Sequence, residues 1–295
     1  MKTSILLIFL VLTASQMVAQ QVPDPMFNPV IPNPIYQTGK GSMIFIDEGH
    51  HSGHTKDRGY LPFARILEKD GYVVKGYAGE FDKKKLANIK VLVIANPLNA
   101  INVKNWTLPT PSAFTKEEIE AVENWVYNGG SLFLIADHMP FAGAAEELAS
   151  VFGFKFYNGF NFDIINPSYF KLTNKTLVEN IITKGRDSTE SVIQIPNTEG
   201  QAFLIPADAN PILVFNNSSM MLMPDTAWRF HNNTPLLKIR GWSQGAFKKH
   251  GKGKIVAFGE ASMFTAQLGG PDKRKMGMNR EDAKDSYKLL LNIIH

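Results

Sequence analysis

Four runs of apolar residues divide the chain, and each run ends directly at polar side chains. Runs of four or five apolar residues predict strands that are buried on both faces, as in a parallel sheet covered by helices. A helix is predicted after the first run, because Tyr60, Phe63 and Leu67 fall on one helical face. Strands that alternate with helices predict an α/β fold with a mostly parallel sheet. The runs span residues 43–46, 91–95, 132–136 and 255–258.

The pattern changes between about residue 154 and residue 249, where short candidate strands are separated by Pro and Asn turns. A hairpin is predicted to join 242–247 to 254–258, and a last helix is expected with Asn279 as its N-cap. We interpret these strands as additions to the same core, so that residues 42–295 form one α/β domain. The other added strands are predicted at residues 192–195, 202–205, 212–215 and 220–223.

The N-terminus has the features of a secretory signal peptide. Lys2 precedes an apolar stretch at 5–12, and small residues follow up to Ala19. The sequence therefore predicts a signal peptide at residues 1–20 and a secreted or periplasmic protein. No stable membrane insertion is expected after cleavage, because the apolar stretch is shorter than the roughly 20 residues that span a bilayer. Residues 21–41 are rich in proline and are predicted to form an extended surface arm.

The composition excludes several kinds of chemistry. The chain has no cysteine, which excludes disulfides, a thiol nucleophile and thiolate metal sites. It also lacks a glycine-rich phosphate loop, a dinucleotide motif and the Gly-x-Ser-x-Gly elbow of serine hydrolases. The net charge of +4 is mild and the lysine runs are short, so no nucleic-acid partner is expected. A small-molecule or glycan ligand is the expected partner, and the sequence carries no signal for an oligomeric state.

Polar side chains follow all four apolar runs. The carboxyl ends of parallel strands share one edge of a sheet, so loops that are distant in the sequence meet there. The sequence therefore predicts a functional site at this edge. The loops supply, in chain order, Asp47, Glu48, His50, His51, His54, Asn96, Asp137, His138 and Glu260. The residues predicted to contact the substrate are His51, Asn96, Gln244 and Gln267.

His50 and His54 have the spacing of metal ligands, because residues four apart share a face on a helical turn. With a carboxylate such as Asp47 as a third ligand, they would hold a divalent metal, for which Zn²⁺ is the first expectation. A bound metal would lower the pKa of water to about 7 and create a nucleophile. The alternative is that these histidines hydrogen-bond the loop and that the site is polar but free of metal.

Four side chains are the predicted catalytic groups: Glu48, Asp137, His138 and Glu260. A carboxylate that leaves a buried strand has to find a donor or water, which makes Glu260 a candidate general base. Asp137 has a second interpretation, because an acid at a strand end often caps the helix that follows. His138, close to Pro140, is predicted to belong to the site.

Three stretches resemble a bacterial family of secreted proteins whose domain of unknown function is similar to class I glutamine amidotransferases. These are residues 47–55, 130–141 and 259–264. The resemblance covers roughly residue 43 to the C-terminus and implies a flavodoxin-like three-layer sandwich. Amidotransferases place a nucleophilic cysteine in the turn after a central strand, where this chain has Asp137-His138 and no cysteine. The resemblance therefore does not imply glutamine hydrolysis.

Three functions are compatible with the sequence. The first is a metal-assisted hydrolase of an extracellular glycan or a related polymer. The second is a non-catalytic module that binds a carbohydrate or a peptide, with Trp106, Trp228 or Trp242 stacking on the ligand. The third is a metal-free acid–base enzyme that uses His138 and Glu260.

Overall fold

A computed structural model describes residues 21–165 and 168–295, so the signal peptide predicted at residues 1–20 lies outside the described residues. Strands and α-helices alternate in the first half of the described chain. The strands are β1 Val22–Pro23, β2 Met43–Asp47, β3 Val73–Tyr77, β4 Val91–Ala95, β5 Ser131–Ile135, β6 Phe160–Asp163, β7 Tyr169–Lys171, β8 Gln194–Pro196, β9 Asn210–Val214, β10 Ser219–Leu222, β11 Leu236–Lys238, β12 Ser243–His250, β13 Gly253–Phe258, β14 Ala266–Gly269 and β15 Arg274–Gly277. The helices are α1 Leu61–Lys69, α2 Lys83–Leu86, α3 Lys116–Tyr127, α4 Phe141–Ser150, α5 Ile181–Lys184 and α6 Ser286–Ile294.

The central sheet has seven strands in the order β3-β2-β4-β5-β13-β12-β9. The first five run parallel to one another, and β12 and β9 extend the sheet in antiparallel orientation. The predicted hairpin and the predicted mixed α/β fold with a mostly parallel sheet are therefore confirmed. One strand is irregular: the register of β12 against β9 shifts between Ser243 and Gly245 and again between Gly245 and Ala246.

The parallel strands are apolar on both faces, because helices cover both sides of the sheet. Successive side chains of a strand point to opposite faces. Ile46 and Val93 pack with α1 and α6 on one face. Leu92 and Ile94 pack with α3 and α4 on the other. This two-sided burial explains why the strands appear in the sequence as unbroken apolar runs.

Three smaller sheets complete the described chain, with strand orders β11-β10-β6, β7-β8 and β1-β14-β15. The prediction of a strand at 202–205 is wrong, because Phe203 and Leu204 form only single bridges, to Ser243 and Lys155. In residues 21–165 and 168–295, no helix combines the length and the apolar character needed to cross a bilayer.

Asn279 lies before the last helix but does not cap it, so that prediction is also wrong. The helix begins later, at Ser286, and its N-cap residue Asp285 makes no side-chain capping bond. Asn279 Nδ2 donates instead to Asp24 Oδ2 at 2.8 Å and to the carbonyl of Gln267 at 3.0 Å. These bonds tie the proline-rich arm to β14.

Candidate functional site

Four neighbouring strands, β2, β4, β5 and β13, end at one edge of the central sheet. Their ends are in register, with Ala95 opposite Ile135 and Ile135 opposite Phe258. The loops after these strands carry most of the predicted site residues and leave the sheet side by side. The prediction that these loops meet at one edge is confirmed by the strand order.

Two predicted catalytic residues, Asp137 and Glu260, form a buried pair of carboxyl groups at this edge. Asp137 is 9% exposed and Glu260 is 1% exposed. The N–H of Ala261 donates to Asp137, and the N–H of Ser262 donates to Glu260 Oε1 at 2.6 Å. Asn96 holds the same loop, because its Oδ1 accepts from the N–H of Asp137 at 2.9 Å. We call Asp137 and Glu260 the carboxyl pair.

The environment of the carboxyl pair favours protonation. Burial raises the pKa of Asp137 and of Glu260 above their ordinary values, and the charge of Asp137 raises the pKa of Glu260 further. Two buried like charges repel each other, so ionisation of one member of the pair opposes ionisation of the other. A carboxylic acid beside a carboxylate offers both a proton donor and a proton acceptor.

Several buried polar atoms beside the carboxyl pair have no hydrogen-bond partner among the described residues. They are Glu260 Oε2, both amide atoms of Gln244 and the hydroxyl of Tyr60. A Cβ on Gly200 would lie 3.0 Å from Glu260 Oε2 and 3.1 Å from Gln244 Nε2, so this glycine leaves open the space that both atoms border. Burial and the nearby charges of Asp137 and Glu260 raise the pKa of Tyr60. Buried donors and acceptors of this kind need water or a ligand.

Gln244 borders the carboxyl pair because β12 is irregular where this residue lies. A bulge of this kind redirects a side chain that a regular strand would point elsewhere. The N–H of Gly259 donates to the carbonyl of Gln244 at 2.8 Å, which places Gln244 beside the strand end that carries Glu260. Tyr60 also borders the carboxyl pair, although its spacing in the sequence predicts only that it lies on a helical face. The sequence feature that could have identified it as a site residue is its position soon after the histidine-rich loop.

Both ring nitrogens of His50 are hydrogen-bonded to buried carboxylates, so a metal bound by His50 would have to replace one of these bonds. Its Nδ1 donates to Asp47 at 2.9 Å and its Nε2 donates to Glu118 at 3.1 Å. Carboxylates only accept, so both ring nitrogens carry a proton and neither has a lone pair for a metal. The ring lies between Phe81 and Phe114, with centroids 4.7 and 4.6 Å away. His50 and Asp47 belong to a buried ion-pair network with Glu118, and their predicted role as metal ligands stays a prediction.

His54 does not share a face with His50, because residues 50–54 are not helical. Its ring packs edge-on against Tyr60 at a centroid distance of 4.9 Å, and burial lowers the pKa of His54 to about 4. Across residues 21–165 and 168–295, no three His, Asp or Glu side chains are grouped closely enough to hold a metal ion. The predicted role of His54 as a metal ligand stays a prediction.

Two other residues of this loop lie away from the carboxyl pair. His51 is exposed and has a left-handed backbone with φ of 52°. Glu48 lies over Gly76 of β3, and its Oε1 accepts from the N–H of Lys56 at 2.9 Å. Glu48 thus stabilises the loop, and the structure does not support its predicted catalytic role.

His138 lies among five aromatic rings. Its ring stacks on Phe160 at 4.4 Å and meets Trp228 edge-on at 4.7 Å. Its Nδ1 donates to the carbonyl of Met139 at 2.6 Å, which fixes the tautomer and leaves Nε2 as an acceptor. The rings that we call the aromatic cluster are Trp106, His138, Phe141, Phe160, Trp228 and Phe230.

Gln267 belongs to a different sheet from the carboxyl pair, on β14 opposite Pro23. Its role in substrate binding stays a prediction. Other residues near the carboxyl pair are not predicted by any sequence motif. Two cavities of about 250 and 390 Å³ lie near Glu260. Ser262, whose N–H donates to Glu260, lines the larger one, and Thr198, whose hydroxyl lies 3.4 Å from that of Ser262, lines both. The side chains common to both cavities are Thr198, Glu199, Arg274 and Arg280.

The sequence matches no protein-family model, and no curated protein is similar to it. Among solved structures, the fold is similar to the mmIFT52 N-terminal domain, with a TM-score of 0.59 at 12% identity over 84% of this chain and 95% of that one. A ThuA-like protein from Bacteroides uniformis aligns with a TM-score of 0.46 at 13% identity, over 90% of this chain and 94% of that one. A cytoplasmic protein from Salmonella typhimurium aligns with a TM-score of 0.46 at 14% identity, over 86% and 99%. The first likeness shows the fold alone.

The raised pKa of Glu260 predicts that the protein loses stability as the pH rises. Between the ordinary glutamate pKa of about 4.3 and the raised folded-state pKa, the folded protein holds a proton that the unfolded chain has released. One such proton lowers the free energy of unfolding by about 1.4 kcal/mol per pH unit across that range. The Glu260→Gln variant lacks this loss, so its free energy of unfolding in urea, relative to that of the wild type, should grow as the pH rises above about 4.3. Glu48→Gln is the matched control, and equal pH slopes for the wild type and Glu260→Gln would contradict the raised pKa.

Proposed function

We propose that this protein is an exported hydrolase that cleaves a glycan or a related polymer by acid–base catalysis at Asp137 and Glu260. The observation that carries the proposal is the buried carboxyl pair, in which the pKa of both acids is raised, bordered by unpartnered polar atoms of Gln244 and Tyr60. Perturbed titratable groups at the carboxyl edge of a parallel sheet are typical of catalytic sites. Export rests on the signal peptide predicted at residues 1–20.

The reaction needs one proton donor and one proton acceptor. The protonated member of the carboxyl pair gives its proton to the leaving oxygen as a C–O bond of the polymer breaks. The ionised member takes a proton from water, whose oxygen forms the new bond to the same carbon. The two carboxyl groups exchange roles, and no other reactant is consumed. Gln244, with a free donor and a free acceptor, is suited to orient that water.

The arrangement of the histidines favours this mechanism over the metal-assisted alternative. Both nitrogens of His50 donate to carboxylates, and the ring of His54 packs against Tyr60. A divalent metal at this loop would therefore require the network of His50 to be broken. The Zn²⁺ prediction stays a hypothesis, and chelation tests it.

We also propose that the central sheet is flavodoxin-like, as in class I glutamine amidotransferases. Numbered along the chain, its five parallel strands lie in the order 2-1-3-4-5, which is an order found in flavodoxin-like folds. The resemblance of residues 130–141 to that family is a second support. Because no cysteine is present, the proposal concerns the architecture and not glutamine hydrolysis.

A second candidate function is a binding module without turnover. The aromatic cluster favours it, because Trp228 is exposed beside His138 and Phe230 is exposed beside Phe160. Exposed aromatic rings next to hydrogen-bonding groups suit the binding of a ligand whether or not a bond is cut.

Turnover in the presence of a chelator separates these candidates. The purified protein, incubated with purified polysaccharides and aryl glycosides, is expected to release reducing ends from at least one of them. The rate should change by less than about twofold when EDTA is added, because no step uses a metal. A loss of activity in EDTA that Zn²⁺ restores would replace the acid–base proposal by the metal-assisted one. Binding of an oligosaccharide with no turnover of any substrate would favour the binding module.

A further inference from the structure

We infer that the aromatic cluster is a subsite for one sugar ring, which stacks on Trp228 and donates a hydroxyl hydrogen bond to Nε2 of His138. The inference deepens the proposed function and rests on it for the polymer to which this sugar belongs. Four observations carry it: the exposure of the outer rings, the backbone of Trp228, the free nitrogen of His138 and the position beside Asp137.

The outer rings of the aromatic cluster are exposed, whereas the inner rings are not. Trp228 is 53% exposed and Phe230 is 42% exposed, but Phe160 is 3% exposed and His138 is 8% exposed. A cluster that only filled the core would bury its largest ring, because the indole has the most apolar area to remove from water. The exposed indole is instead a flat apolar surface next to polar groups, which is the composition of a ligand site.

Trp228 also has a strained backbone. Its φ is 64°, in the left-handed region that bulky side chains rarely adopt. Such strain costs of order 1–3 kcal/mol and persists only where the surrounding structure imposes it. Left-handed residues of this kind cluster at ligand sites, so the strain supports a role for the position of the ring.

Two loops that are far apart in the sequence impose this conformation. The N–H of Ala227 donates to the carbonyl of Trp106 at 2.8 Å, and the hydroxyl groups of Thr107 and Thr226 lie 3.0 Å apart. The loop that follows β4 is thereby paired with the segment that carries Trp228. The indole is therefore held in place before a ligand arrives, which lowers the entropy cost of binding.

His138 supplies the polar contact. Its Nδ1 donates to the carbonyl of Met139, so in the neutral ring Nε2 is the nitrogen that carries the lone pair. No described residue donates to Nε2, and this atom is not among the polar atoms that are sealed from solvent. The free nitrogen therefore accepts a hydrogen bond from outside the protein.

A sugar ring matches this combination better than other ligands do. A pyranose has an apolar C–H face, which packs on an indole, and a rim of hydroxyl groups, which donate to an acceptor such as Nε2. A quaternary ammonium ion would use the rings but has no proton to donate to His138. A phenylalanine side chain of a peptide would use the rings and likewise leave Nε2 without a partner.

The subsite adjoins the carboxyl pair. His138 follows Asp137 directly, and its N–H donates to Asp137 Oδ1 at 2.7 Å. A sugar that contacts Nε2 therefore lies next to the groups that would cut the bond to its neighbour. The sugar ring that stacks on Trp228 is part of the substrate, and its position fixes which bond reaches the carboxyl pair.

The test measures binding separately from turnover. In the Glu260→Gln background, which cannot cycle, calorimetry is carried out with the hexasaccharides of cellulose, xylan, mannan and chitin. We expect at least one to bind, and we expect Trp228→Asn to weaken its binding by at least about tenfold. Asparagine tolerates a left-handed backbone, so this variant removes the ring without adding strain. Trp228→Phe should retain part of the affinity, and urea unfolding should be unchanged in both variants.

Tyr127→Ala is the matched control, because Tyr127 is also exposed, at 58%, but lies at the end of α3. The inference is overturned if no hexasaccharide binds, if Trp228→Asn binds as tightly as its parent, or if choline binds at Trp228 in place of a sugar. Sugar binding at Trp228 without turnover in the unmodified protein would overturn the proposed hydrolysis and leave the subsite standing. Turnover that is insensitive to Trp228→Asn would overturn the subsite and leave the proposed hydrolysis standing.

Discussion

Replacing Glu260 by glutamine is expected to lower the rate of hydrolysis by about 10²–10⁴-fold. The glutamine amide has nearly the shape of the carboxyl group and still accepts from the N–H of Ser262, so the loop keeps its conformation. The amide cannot release or take up a proton, which removes half of the carboxyl pair. The loss should therefore appear in kcat, with little change in KM.

Asp137→Asn should cause a loss of similar size, and the double variant should be little worse than either single one, because the two groups act as a unit. Glu48→Gln is the control carboxylate, since Glu48 bonds the backbone of Lys56 and lies away from the pair. The wild-type rate should follow a bell-shaped pH profile whose alkaline limb is missing in Glu260→Gln. Full activity in both single variants would exclude the carboxyl pair from catalysis.

Replacing His50 by alanine is expected to lower the free energy of unfolding by about 3–5 kcal/mol. The imidazolium lies between Asp47 and Glu118, which are 1% and 6% exposed, and it is hydrogen-bonded to both. Its removal leaves two buried carboxylates without the cation between them and opens a cavity between Phe81 and Phe114. Urea unfolding at about pH 6 measures the loss.

The effect of His50 should depend on pH. Burial alone would lower the pKa of His50, but the hydrogen bonds and charges of Asp47 and Glu118 raise it above the ordinary value. The stabilisation is therefore full below the unfolded-state pKa of about 6.5 and is lost as the pH rises through the higher folded-state pKa. The gap between the wild type and His50→Ala should narrow in alkaline solution. His231→Ala, at an exposed position, should change stability by less than about 0.5 kcal/mol, and a similarly small change for His50→Ala would contradict the network.

The fold and part of the candidate site could be predicted because both depend on local sequence. Apolar runs such as 91–95 locate buried strands, and the polar residues that follow them, including Asp137 and Glu260, lie at the strand ends. The proximity of these two acids depends on β5 lying next to β13. That neighbour relation comes from the order of strands in the sheet, which local patterns do not encode.

The histidines show where such reasoning fails. A spacing of four residues indicates a metal site only if the segment is helical, and residues 50–54 are not. The partner that decides the role of His50 is Glu118, which lies 68 residues further along the chain. From the sequence, Glu118 is recognisable only as half of a capping box with Thr115. In the structure, Glu118 completes this capping box and also accepts a hydrogen bond from His50. Gln244 is among the residues predicted from the sequence, but the irregular register of β12 that places it beside the carboxyl pair leaves no signature in the amino-acid pattern.

The loop around Thr107 pairs with the loop around Thr226, which carries the indole of Trp228. The groups that would react and the ring that would select the ligand therefore lie on different parts of the molecule. The acids belong to the rigid ends of strands, whereas the indole of Trp228 is carried by surface segments that tolerate substitution and changes in length. Altering those segments would therefore exchange the preferred ligand while the reactive groups stay in place. Directed libraries restricted to residues 104–109 and 225–230 are the economical route to new specificities on this scaffold.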